Sequence, residues 1–405
     1  MTPPTAAVHT PLREPVLAGV VTALVGFTSS FAVVLAGLRA AGATEQQAAS
    51  GLLALTVIFG VGMILLATVY RIPVTLAWST PGAALLAGAA SYDGGWPAAV
   101  GAFVVTGALI FATGAVPALG QLIGRIPTTL AQAMLAGVLL PLCLAPFQAL
   151  GSIPLLVLPL ILIWLIGTRF TPRWAVPLTL LGALLVIAGY LSLNRIPLDW
   201  SAAAPTVELT APEFSLQAMA GIALPLYIVT MASQNVPGVA VLASFGYRTP
   251  WRASMFVTGI GTAAAAPFGG HAMNLAALSA ALSAGETAGR DSTRRWIAAV
   301  SAGCCYLLLA GGSAALVTVV AAAPPGLIET VAGLALMGTM ATALAAALAE
   351  AGQRMSAVVT FLVAASGLTL GGIGGAFWAL IAGLLVRWVL ERRPASLGSS
   401  GGSVR

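Results

Sequence analysis

The amino-acid sequence predicts an all-α polytopic membrane protein of about fourteen spans, folded as two inverted repeats of seven, with the third and tenth spans broken. Three observations predict it. The 405-residue chain is 59% hydrophobic and 7% charged, with a mean hydropathy of +1.00, a composition that soluble folds of this length do not carry. All 17 basic residues are arginines, and they cluster on alternate connections between apolar runs. Two short segments, one in each half, are interrupted by Pro and Gly on the same plan.

Apolar runs place the spans of the first half at 15–38, 47–70, 73–91, 96–117, 127–148, 153–169 and 173–192. Those of the second half fall at 216–240, 250–267, 268–285, 295–322, 326–349, 354–371 and 374–391. The longest polar connection, Asn194–Glu213, holds Arg195, Asp199, Glu208 and Glu213 and separates residues 1–193 from residues 216–393, with 194–215 as a periplasmic linker. With the N-terminus in the cytoplasm, fifteen arginines lie inside and only Arg39 and Arg195 outside, as the positive-inside rule requires. Both termini are then cytoplasmic. The polar opening MTPPTAAVHTPLREP predicts no cleavable signal peptide. The tail 394–405 is small and polar and is expected to be disordered. The net charge of +6 belongs to loop arginines and does not signal nucleic-acid binding.

The two interrupted segments are Pro73–Ser91, PVTLAWSTPGAALLAGAAS, and Pro267–Gly285, PFGGHAMNLAALSAALSAG. Each joins an extended stretch to a short run of small apolar residues. A helix needs roughly twenty residues to cross the hydrocarbon core, so each run predicts a half-helix that starts near the midplane. Ser79 or Thr80 suits the N-cap of the first, with Pro81 at the first helical position. Asn274 suits the N-cap of the second, Leu275–Gly285. Seven spans per half is an odd number, so the second half is inverted and the two helix N-termini meet from opposite sides. Each end carries about half a positive charge and several unpaired N–H groups. Two such ends facing one cavity form an anion site without a basic side chain.

Several side chains could serve that site. Gln234 and Asn235 lie mid-span in Ser233-Gln234-Asn235-Val236-Pro237-Gly238, where a polar group faces protein or a cavity in preference to lipid. Ser29 and Ser30, in the stretch Gly26–Phe31 of the first span, either face the cavity or bond between helices. His271 is the one titratable group at either break, which makes it the proton-coupling candidate; a neutral His donating one hydrogen bond is the alternative. Glu329 is placed near the outer end of the twelfth span. Phe27, Phe31, Trp78, Tyr227 and Phe268 could hold a flat apolar ligand or simply pack helices. Cys143, Cys304 and Cys305 lie in apolar runs and read as packing residues. No His/Cys/Glu cluster suggests a metal or other cofactor, and no Ser/His/Asp set suggests an enzyme.

The strings TMASQNVPGVAVL (230–242), APFGGHAMNLAAL (266–278) and TRRWIAAV (293–300) resemble the benzoate:proton symporter family of bacteria, and the likeness extends over nearly the whole chain. More distantly the sequence is similar to the uracil permease and SLC26-type architecture. That resemblance implies a core domain (15–117 and 216–322) moving against a gate domain (127–192 and 326–391). It implies an inner-membrane carrier of an aromatic carboxylate, benzoate above all, moved with a proton, in a lipid bilayer and with a homodimer as one allowed assembly. The nucleobase carriers of that fold place glutamates on the eighth and tenth spans, where Gln234 and Met273 stand here. A carboxylate in the site would repel an anionic substrate. The expected substrate-binding residues are Ser29, Ser30, Thr80, Gln234, Asn235, Gly270, His271 and Asn274, with Phe27 or Phe268 against the ring. The carboxylate is expected between Thr80–Pro81 and Asn274–Leu275.

Overall fold

Backbone N–H and C=O groups in hydrocarbon have no water to bond, so long apolar runs satisfy them internally as helices. The computed structural model describes residues 12–87, 94–124, 127–198, 200–371 and 373–391. The end of the third span (88–91) and the tail 394–405 lie outside the described residues.

The first half runs α1 (Arg13–Ala40), α2 (Glu45–Tyr70), β1 (Leu76–Trp78), α3 (Thr80–Ala87), α4 (Gly95–Ala115), α5 (Pro117–Gly124), α6 (Thr128–Ser152), α7 (Pro154–Phe170) and α8 (Ala175–Asn194). The second half runs α9 (Leu216–Ser244), α10 (Trp251–Ala265), β2 (Met273–Leu275), α11 (Ala277–Ala284), α12 (Trp296–Ala321), α13 (Leu327–Leu348), α14 (Arg354–Ala365) and α15 (Gly375–Val386). Among the described residues, eight helical segments are long and apolar enough to cross a bilayer: α1, α2, α4, α6, α8, α9, α12 with its leading turn from Ser292, and α13. The remaining helices are shorter.

Local signals explain the ends. Thr44 caps α2 in a reciprocal box: its hydroxyl accepts the Gln47 N–H at 3.2 Å, and the Gln47 side chain accepts the Thr44 N–H at 2.9 Å. Glu329 does similar work at α13, accepting the Gly326 N–H at 3.0 Å, so this carboxylate belongs to a helix end. After α10 the chain must reverse into an extended course. Gly269, at φ +92°, supplies the left-handed residue. Gly269 N–H then bonds the Ala266 carbonyl at 2.8 Å and Gly270 N–H bonds Ala265 at 2.9 Å, a Schellman closure.

The helices pack in two groups. In one, α2 lies along α12, α4 along α10, and α1 on α12. In the other, α6 lies along α13 and α14, α14 on α15, and α7 on α8. The groups meet where α1 touches α13 and α3 touches α6. Without a hydrophobic force between helices in lipid, small residues permit this closeness. A Cβ at Gly37 of α1 would collide with the Ala83 carbonyl of α3, so α3 rests directly on the α1 backbone.

Candidate functional site

The two extended stretches pair with each other. β1 and β2 run antiparallel with Leu76 opposite Leu275, Ala77 opposite Asn274 and Trp78 opposite Met273. The ladder continues at both ends: Ser79 N–H bonds the Ala272 carbonyl at 2.8 Å, and Ala276 N–H bonds the Thr75 carbonyl at 2.9 Å. Strands that pair antiparallel and each run on into a helix send those helices in opposite directions. The N-termini of α3 and α11 therefore flank the crossing.

The two ends are finished differently. Ser79 is the N-cap of α3: its hydroxyl accepts the Gly82 N–H at 3.2 Å and shares a 2.8 Å hydrogen bond with the Thr230 hydroxyl. Pro81 is thus the second helical residue, one later than the sequence suggested. At α11 the N-cap is Ala276, with no side-chain cap. Asn274 is not the cap expected of it. Pairing with β1 holds residues 273–275 extended and delays the helix to Ala277, so the expected Leu275–Gly285 half-helix is Ala277–Ala284. The first-turn amides of α11 are left without a side-chain partner.

A cavity of about 130 Å³ opens at this uncapped end. Val25, Gly26, Ser29 and Ser30 of α1 form one wall; Ala77, Trp78, Thr80 and Pro81 another; Ala276, Ala277, Ser279 and Leu282 a third. Gln234 of α9 and Ala335, Leu336 and Thr339 of α13 complete it. The lining holds hydroxyls, an amide and an indole but no charged side chain. Thr80 donates its hydroxyl to the Ser30 oxygen at 2.8 Å, tying α3 to α1 at the cavity edge. Trp78 is braced from behind by Phe27, with ring centroids 5.3 Å apart, and edge-on by Phe59 at 5.6 Å.

Ser29, Ser30, Thr80 and Gln234 thus line the cavity, as the sequence reading expected. Asn235, Gly270, His271, Asn274, Phe27 and Phe268 do not. Asn235 is fully buried, and its side-chain oxygen accepts the Leu275 N–H at 2.8 Å, so it holds β2 against α9. Gln234 and Asn235 diverge as consecutive residues do on any helix, about 100° apart, and they lie in the widened π turn Met231–Asn235, a feature common at functional sites. His271 is fully buried behind the ladder, with Nε2 3.1 Å from the Ser79 carbonyl oxygen and the ring near Phe103. Asn274 turns its amide to the Leu275 carbonyl at 2.7 Å. Gly270 is enclosed by Ala265 and Leu55. Phe27 lies behind Trp78. Phe268 sits beside Ser50 and Val207 in a separate apolar recess. Tyr227 is bonded to the Thr113 hydroxyl of α4, and Met273 packs on Gly261. Sequence reasoning missed the contribution of α13, because Thr339 is one hydroxyl in an otherwise ordinary apolar helix.

A bilayer-length helical bundle with a neutral polar cavity at two broken segments defines a membrane transporter. The fold is shared with solved transporters at low sequence identity. The transmembrane domain of the cyanobacterial bicarbonate transporter BicA matches with a TM-score of 0.63 and 16% identity, over 92% of this chain and 97% of that one. SLC26A9 matches with a TM-score of 0.62 and 12% identity, over 94% of this chain and 66% of that one. The chain belongs to the benzoate membrane transport protein (BenE) family, whose pattern matches residues 11–389. It is 39% identical over 371 residues to the inner membrane protein YdcO of Escherichia coli K12, covering 91% of this chain and 93% of that protein. It is 30% identical over 380 residues to the benzoate membrane transport protein of Acinetobacter baylyi, covering 94% and 96%. Members of the family are transporters, not enzymes.

Proposed function

We propose that this protein imports an aromatic carboxylate, benzoate first among candidates, together with a proton by alternating access. The observation that carries the reading is the uncapped N-terminus of α11 opening on a charge-free cavity opposite the N-terminus of α3. Ala276 leaves N–H groups that a ligand oxygen can satisfy, and both helix dipoles favour an anion there. The carboxylate sits between Thr80–Pro81 and Ala276–Ala277, with Ser29, Ser30, Gln234 and Ser279 as hydrogen-bonding partners. The ring lies on Trp78 in place of Phe27 or Phe268. A cavity of about 130 Å³ is small beside the roughly 300–1,000 Å³ of drug-sized sites, which suits a single-ring acid.

In this scheme the eight long helices are joined as spans by the shorter α3, α7, α10, α11, α14 and α15, for a proposed total of fourteen. The arginine distribution supports two inverted halves with cytoplasmic ends in a bacterial inner membrane. The helix group around α2, α4, α10 and α12 is the core. The group around α6, α7, α8, α13, α14 and α15 is the gate. The cavity lies where they meet, so sliding one group on the other changes which side it faces. Asn235 and Asn274 act as positioning residues for β2. His271 is the proton carrier of this scheme: it is the one titratable side chain at the crossing among the described residues, bonded to the carbonyl that starts α3.

Thermal stabilisation of the purified protein across a panel of acids tests the substrate class, since a ligand bound only to the folded state raises its apparent stability. Benzoate and near relatives should raise Tm with saturation. Stabilisation by bicarbonate or chloride alone would instead support a carrier or channel for a small inorganic anion, the reading that the shared fold with a bicarbonate transporter keeps in play.

A further inference from the structure

One wall of the cavity comes from the other helix group. α13, which packs along α6, brings Ala335, Leu336 and Thr339 to the lining; the remaining wall residues belong to α1, α9 and the two broken segments. Positions 335, 336 and 339 share one face of the helix. Residues 331–334 are buried, whereas Thr339 is exposed. It is the one polar side chain that α13 offers the cavity.

Its hydroxyl is uncommitted. A threonine inside a helix commonly donates to the carbonyl four residues back. Thr330 and Thr342 of the same helix do so, to Gly326 at 2.7 Å and to Gly338 at 3.0 Å. Thr339 does not, and no group among the described residues is bonded to it. Other wall hydroxyls are already spent: Ser29 donates to the Gly26 carbonyl at 3.2 Å, and Thr80 to Ser30 at 2.8 Å. Thr339 therefore stands at the cavity as a donor free for a ligand. Benzoate carries hydrogen-bond acceptors only on its carboxylate, which has about four lone-pair sites to fill. A cavity of about 130 Å³ brings opposite walls within reach of one small acid.

We infer that Thr339 is a substrate-binding residue whose hydroxyl donates to the carboxylate from the α13 side, so that the bound acid bridges the two helix groups. The inference rests on the aromatic-carboxylate reading above. The bond exists only in arrangements that keep α13 at the cavity, so it links occupancy to that arrangement. A hydrogen bond to a charged group is stronger than a neutral one, and losing it corresponds to about a tenfold change in affinity.

The test measures benzoate Kd by calorimetry, and ligand-free Tm, in the full-length protein and in Thr339→Val, Thr339→Ser and Thr342→Val. Valine keeps the shape of threonine and drops the hydroxyl; serine keeps the hydroxyl. Thr339→Val should weaken binding about tenfold at unchanged Tm, and Thr339→Ser should bind close to wild type. Thr342→Val should leave Kd unchanged, because that hydroxyl is spent within the helix. Wild-type affinity in Thr339→Val overturns the inference and leaves the aromatic-carboxylate reading intact. An equal loss in Thr339→Ser or in Thr342→Val also overturns it, since shape or the helix as a whole would then be responsible. So does a lowered Tm in Thr339→Val, which would mean that the hydroxyl is bonded within the protein. Wild-type protein that binds no aromatic acid overturns both claims, and the separate outcomes keep them distinguishable.

Discussion

Ala276→Ser and Ala276→Asp probe the anion site through the helix that forms it. Ala276 is the N-cap of α11, has the extended φ −85°, ψ 122° that an N-cap requires, and lines the cavity. A Ser there can accept a first-turn N–H that alanine leaves free, and the exchange is worth about 1 kcal/mol of stability. If the substrate carboxylate uses the same N–H groups, it must now compete with an internal partner. Binding should weaken by about the same 1 kcal/mol, roughly fivefold on the scale where 1.4 kcal/mol is tenfold. Asp adds a charge that the helix end favours by about 0.3–1 kcal/mol, so the ligand-free protein should be more stable still. The same charge repels the substrate, and affinity should fall more than tenfold. Calorimetric Kd for benzoate, measured beside the ligand-free Tm, gives the signature: Tm rises while affinity drops. A serine variant with raised Tm and wild-type affinity would refute the reasoning, because the capped amides would then not be those the ligand uses.

Other substitutions test the supports of the site. Asn235→Ala removes the acceptor of the Leu275 N–H and should cost about 1–3 kcal/mol, read as a lower Tm with weakened binding. Gly269→Ala forces a Cβ into φ +92° and to 2.7 Å from the Gln47 carbonyl oxygen, a loss of at least about 1–2 kcal/mol that should appear as poor folding yield. Arg295 donates to the Ala284 carbonyl at 2.7 Å and to Gly289 at 2.8 Å, closing the C-terminal end of α11. Arg295→Met should lower Tm by stranding both carbonyls, and Arg295→Lys should restore part of the loss. His271→Gln should abolish gradient-driven accumulation while substrate exchange continues. Intact accumulation would mean that the proton travels with the substrate or through another group.

The class of fold was readable because lipid imposes simple demands on composition, and the two breaks because Pro and Gly in short apolar runs have few other uses. What the sequence hid was pairing between distant stretches. Nothing local in MNL announces a strand, since its partner LAW lies about two hundred residues away. That pairing is why Asn274 is a ladder residue and not a cap, and why α11 starts at an alanine. The division between Gln234 and Asn235 was hidden for a related reason. Both are polar and mid-span, and only the rotation of α9 against β2 and the cavity decides which faces the cavity. His271 was conspicuous by type, yet its place behind the ladder follows from the register of β1 on β2.

The central claim is coupled transport of an aromatic acid, and uptake into proteoliposomes tests it most directly. With purified protein and an acid-outside pH gradient, labelled benzoate should accumulate inside above its external concentration. Accumulation should collapse on adding a protonophore, and unlabelled benzoate trapped inside should still drive exchange. Uptake that never exceeds equilibration, or that ignores the gradient, would contradict the account.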